Sequence, residues 1–67
     1  MNLMINGKKT ELPETTRYVS EVLDLLNINS KRVAVEVNEE IIAPEIFEET
    51  IVQDKDCIEI VSFVGGG

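Results

Sequence analysis

The segment of this 67-residue chain whose composition answers to chemistry rather than packing is its end, Val64-Gly65-Gly66-Gly67. Three consecutive glycines bury no side chain and lose more conformational freedom on ordering than other residues do. As structure they are a poor choice. As a thread they are a good one, because a backbone without Cβ atoms can enter a channel that any side chain would block. The expected organisation is a single domain over residues 1–64 and a flexible glycine tail over residues 65–67, with the carboxylate of Gly67 offered to the active site of another protein. The alternative is an inert, frayed end.

Other residues that could carry chemistry are few. The chain has no histidine, so the usual general base near neutral pH is missing. Cys57, the single cysteine, cannot form an internal disulfide, has no imidazole to activate it and stands beside Asp56, whose charge disfavours a thiolate. A tolerated strand cysteine is the better account of it. Asp54 with Asp56, Glu39 with Glu40 and Glu48 with Glu49 offer paired carboxylates, but their spacing matches no metal-ligand loop and solvated turns explain them. Gly7 is the only glycine outside the tail, so no glycine loop precedes a helix to cradle a phosphate. The expectation is a protein with no catalytic residue, metal or bound cofactor of its own, acting through partners.

Charge narrows the partners. Thirteen acidic against six basic residues give a net charge of −7, unevenly placed. Residues 1–33 hold four acids and five bases, whereas residues 34–67 hold nine acids and only Lys55. Such a surface repels phosphate backbones and anionic lipid, which argues against nucleic-acid and membrane-surface roles. It serves either as a solubilising surface or as the complement of a basic partner. With no charged-then-apolar leader and no apolar run of membrane-spanning length, the chain is expected to be cytoplasmic.

The elements that must position the tail follow from period and punctuation. Asn6-Gly7 between two extended runs specifies a two-residue type I′ hairpin turn, pairing Ile5 with Lys8, Leu3 with Thr10 and Met1 with Leu12. Met1, Leu3, Ile5, Thr10 and Leu12 then share the inner face, and Pro13 stops the second strand. Val19, Val22, Leu23 and Leu26 recur at helical spacing, predicting a helix over about residues 17–27, capped by Thr15 or Thr16 and left at Asn27 and Asn29. Val33 to Val37 is a β-branched strand with Val35 and Val37 inward and Glu36 outward. A turn at Asn38-Glu39-Glu40 follows, then Ile41-Ile42 up to Pro44. One helical turn in residues 45–50 would plant Ile46 or Phe47 in the core, and a polar turn over residues 53–56 leads to the last strand, residues 57–64. Alternation along it puts Ile58 and Ile60 in the core, and Cys57, Glu59, Val61 and Phe63 on the other face. Val61 and Phe63, apolar and next to the tail, form a candidate docking patch unless both faces of a small sheet are covered. The fold class is α+β, a mixed sheet packed on one main helix, with Leu3, Ile5, Val22, Leu23, Leu26, Val35, Val37, Ile58 and Ile60 buried.

Hairpin, helix and further strands, the last running into Gly66-Gly67, resemble the ubiquitin-like β-grasp sulfur carriers, and most closely the ThiS-like carriers of thiamine biosynthesis. The likeness rests on Met1 to Gly7, Val19-Ser20-Glu21-Val22-Leu23, Val35-Glu36-Val37-Asn38, Ile42-Ala43-Pro44, and Ile51-Val52-Gln53-Asp54-Lys55-Asp56 before the last strand. Gly65 is an extra glycine before the usual pair, and Lys55 stands where such carriers often have glycine. The resemblance implies that an E1-like (ThiF-like) adenylyltransferase uses ATP to adenylate Gly67 and that sulfur from a cysteine desulfurase system displaces AMP. The resulting Gly67 thiocarboxylate would supply sulfur to a thiazole synthase (ThiG-like). Two alternatives stay open: a carrier like the small subunit of molybdopterin synthase, whose members tend to be longer, and a non-catalytic β-grasp interaction module.

Overall fold

In the computed structural model, which describes residues 1–63, Asn6 and Gly7 take φ of 50° and 81° and close the hairpin of β1 (Asn2–Ile5) with β2 (Lys8–Glu11). The register is the one the turn dictates, Leu3 opposite Thr10 and Ile5 opposite Lys8. Leu3, Ile5 and Leu12 are buried while Asn2, Met4, Lys9 and Glu11 face solvent. A second two-residue turn of the same type, Asn38 (φ 51°) and Glu39 (φ 72°), joins β3 (Val33–Val37) to β4 (Glu40–Ile42). Glu40 is therefore the first residue of β4 rather than part of the turn. The five-stranded sheet runs β2-β1-β5-β3-β4, with β5 (Cys57–Ser62) parallel to β1 and antiparallel to β3.

Helix α1 (Val19–Leu25) is shorter than its apolar spacing predicts, and the reason is tertiary. Tyr18 is extended and bridges to Ile51, while the Val52 amide donates to the Arg17 carbonyl (2.8 Å) and the Val19 amide to that of Thr50 (2.9 Å). Residues 17 and 18 are thus drawn into a short antiparallel contact and cannot enter the helix. Neither Thr15 nor Thr16 caps it. Thr16 is buried with its hydroxyl unpartnered among the described residues, and Glu21 reaches back to accept the backbone N–H of Arg17 (2.6 Å) and Tyr18 (3.1 Å). Those two bonds, Arg17 first, hold the Glu21 pKa below its ordinary value. Their contribution to stability is present above the unfolded-state pKa and is lost as pH falls through the lowered folded value. At the other end Asn27 adopts φ 59°, with Asn27 N–H bonded to the Asp24 carbonyl and Ile28 N–H to that of Leu23, the bond pattern of a left-handed helix stop.

Val19, Val22 and Leu23 pack on the inner face of the sheet against Leu3, Ile5, Val35, Ile58 and Ile60. Leu26, expected in this core, is only partly buried because it is the residue at which the helix ends. Phe47 rather than Ile46 fills the position offered by the single turn at Pro44–Ile46, and Leu12, Val33, Val37, Ile42 and Val52 complete the core. Strand β5 ends at Ser62, not at residue 64, although the Phe63 amide still donates to the Arg32 carbonyl (2.8 Å). Val64 and the glycines Gly65, Gly66 and Gly67 lie outside the described residues.

Lys55, where a glycine was the familiar choice, has φ 74°. The left-handed region costs an L-residue about 1–2 kcal/mol, partly offset by the greater unfolded-state freedom of glycine, about 0.4–1 kcal/mol. Lys55→Gly should therefore raise stability in urea by up to about 1 kcal/mol, since the 2.6 Å bond from its amide to the Asn2 carbonyl is a backbone bond and survives. Leu23, 1% exposed, is the opposite case: Leu23→Ala should cost about 2–5 kcal/mol in the same titration.

Candidate functional site

The site is the outer face and exit of β5. Ile58 and Ile60 point into the core, so alternation turns Cys57, Glu59 and Val61 to the open face of the sheet. Val61 and Phe63 are 60% and 59% exposed, as the alternation predicts, at the place where the chain leaves toward the glycines. They are not alone. Ala34 lies directly across from Val61 on β3, and Ile41, 76% exposed, is paired to Glu36 on the same face. Sequence reasoning missed Ile41, because Ile41-Ile42 as a doublet does not reveal which residue points outward. Only the β3–β4 register decides it.

Glu59 of β5 is directly opposite Glu36 of β3. Like charges facing each other across a strand pair are unfavourable, and no described cation neutralises them. An acidic pair beside Val61, Ala34 and Ile41 is the complement of a partner surface that brings a basic group into an apolar setting.

The other candidate groups are absorbed by structure. Asp54 accepts the Asn2 amide (2.7 Å), and Asp56 accepts the Gln53 amide (2.7 Å) and the Asn38 side-chain amide (3.0 Å). Both carboxylates fasten turns and are not a catalytic pair. Cys57 is exposed beside a shallow groove of about 440 Å³ shared with Asn2, Leu3, Met4, Lys9 and Lys55. Among the described residues no three His, Cys, Asp or Glu side chains converge as metal ligands, and no helix is long and apolar enough to cross a membrane.

A mixed sheet gripping one helix, with its central strand leaving toward a run of glycines, defines a ubiquitin-like β-grasp domain. The model of the ThiS family matches residues 3–67, and the chain belongs to that family. It is 42% identical over 65 residues to the sulfur carrier protein ThiS of Bacillus subtilis, covering 97% of this chain and 98% of that protein. A thiazole synthase of Paramagnetospirillum magneticum carries a segment 39% identical to all of this chain, amounting to 20% of that protein's length. The crystal structure of a thiamine biosynthesis protein (ThiS) from Geobacter metallireducens superposes with a TM-score of 0.85 at 38% identity, with full coverage of both chains.

If the Val61–Phe63 surface is the docking patch, Phe63→Asp should weaken binding to the activating partner at least about tenfold in calorimetric titration while leaving the thermal midpoint within a few degrees. Association should also slow as salt rises, because attraction between opposite charges is screened. Unchanged affinity would return Phe63 to a structural role.

Proposed function

We propose that this chain is the sulfur carrier of a thiamine biosynthetic system and that Gly67 is the residue it uses. The observation that carries the reading is a family match running through residues 3–67, tail included, on a fold whose central strand heads directly for that tail. The chain contributes address and reach, and its partners contribute catalysis.

The chemistry starts from a carboxylate, a poor electrophile because attack on it must expel an oxide. An E1-like adenylyltransferase, ThiF-like in kind, removes that obstacle: a Gly67 carboxylate oxygen attacks the α-phosphorus of ATP and pyrophosphate leaves. The product is a mixed anhydride whose AMP departs readily. The terminal sulfur of a desulfurase-derived cysteine persulfide attacks the acyl carbon and displaces AMP, giving an acyl disulfide. A second thiol, as reductant, attacks the carrier-distal sulfur to form a new disulfide and release the Gly67 thiocarboxylate. A thiazole synthase then takes the sulfur into the thiazole ring. The presence of a carrier-like segment within a protein described as a thiazole synthase supports that last partner. Gly65 and Gly66 serve as the leash, Val61 and Phe63 as the handle, and the acidic half of the chain steers a basic partner. On this reading carrier and partners share the cytoplasm.

The test is at Gly66. Gly66→Val adds a β-branched side chain that narrows backbone freedom and obstructs a channel built for glycine. Pyrophosphate release with the adenylyltransferase should fall by at least about a hundredfold, with the thermal midpoint unchanged within about a degree. Appending one residue after Gly67 should have the same effect by moving the carboxylate out of register. Normal turnover by either variant would remove the tail from the mechanism.

A further inference from the structure

Strand β5 is held on both sides along only part of its length. On one side β3 pairs with it from Ile58 through Ser62, and the Phe63 amide continues the ladder to Arg32. On the other side β1 is spent early: its last register pair is Ile5 with Ile58, after which the chain turns away at Asn6-Gly7. The Asn6 amide still donates to the Ile58 carbonyl (2.9 Å). Then its side chain takes over from the backbone. Asn6 Oδ1 accepts the Ile60 N–H at 2.7 Å, and Asn6 Nδ2 donates to the Ile60 carbonyl at 3.1 Å. A carboxamide presents one acceptor and one donor side by side, as a backbone peptide group does, so it supplies the rung that β1 no longer can. Beyond Ile60, no hydrogen bond from the β1 side reaches β5 among the described residues.

We infer that Asn6 is a positioning residue for the reactive arm: its side chain makes Ile60 the last doubly held residue of β5 and so fixes the direction in which the Gly67-bearing segment leaves the domain. Without it the last doubly held residue is Ile58, and the singly held stretch of described chain grows from residues 61–63 to residues 59–63. A longer loose arm samples more directions, and a carboxylate that must meet an α-phosphate in line loses effective concentration accordingly. The inference rests on the reading of Gly67 given above.

The molecule supplies its own control. Asn38 occupies the same position in the second type I′ turn, at φ 51°, and it too fastens β5 by its side chain. Its Oδ1 accepts the Cys57 N–H (2.9 Å) and its Nδ2 donates to Asp56 (3.0 Å). It grips the entrance of the strand, whereas Asn6 grips the exit. Glycine is compatible with positive φ in both turns, so Asn6→Gly and Asn38→Gly each delete one clamp and keep the hairpin.

Both variants should lower the thermal midpoint by a similar few degrees. Asn6→Gly alone should lower kcat/KM for pyrophosphate release by roughly tenfold at a temperature where both are fully folded, the scale expected for two lost hydrogen bonds. Amide exchange at Ile60 should quicken in Asn6→Gly and not in Asn38→Gly. A role in stability alone predicts equal, small activity changes for the two variants, and that result would overturn the assignment, as would an Asn6→Gly protein with wild-type kcat/KM. Silence from the wild-type chain itself would instead bring down the reading of Gly67, and this assignment with it.

Discussion

One strand has to satisfy two opposed demands, and the rest of the molecule follows from them. In the proposed function strand β5 must be central enough to be rigid and must still offer the chain's glycine end to a partner. Alternation along six residues meets both: Ile58 and Ile60 anchor the strand under the helix, and Cys57, Glu59 and Val61 face outward. Parallel pairing to β1 and antiparallel pairing to β3 hold its first half, while only β3 accompanies its last residues. A 67-residue chain has little surplus stability to devote to a second structured site, so the proposed working end follows the strand where the fold already needs rigidity.

The open face of the sheet is the proposed recognition surface. Val61, Ala34, Ile41 and Phe63 present apolar surface, and the facing carboxylates Glu36 and Glu59 keep that surface soluble and selective at once. An acidic pair left uncompensated in the free protein costs a little stability and favours partners that bring a cation. In the proposed function the excess of acid in residues 34–67 acts at longer range, steering encounter before contact is made.

Much of the fold was legible because its signals are local. Asn6-Gly7 specifies a turn type, the turn type specifies the register, and the register decides which of Leu3 and Met4 is buried. The same logic separated Ile58 and Ile60 from Val61 and Phe63. What escaped were features decided by residues far apart in sequence. The start of the helix was misplaced because Tyr18 is claimed by Ile51, and the capping threonines lost their role to Glu21 for the same reason. Ile41 could not be assigned to the patch without the β3–β4 register. Asn6 announces itself as a turn former, which conceals a second task on a strand 54 residues away. The reading of the tail rests on composition alone, since three glycines have no packing explanation and lie outside the described residues.

The most direct measurement is the intact mass of the protein isolated from its native host, compared with the same protein from a strain lacking thiazole synthase. Sulfur carriage at Gly67 predicts a population heavier by the difference between one sulfur and one oxygen, enriched where the acceptor enzyme is missing, and localised by fragmentation to the terminal glycine. A single unmodified mass from both strains, or the added sulfur found on Cys57 instead, would contradict the account.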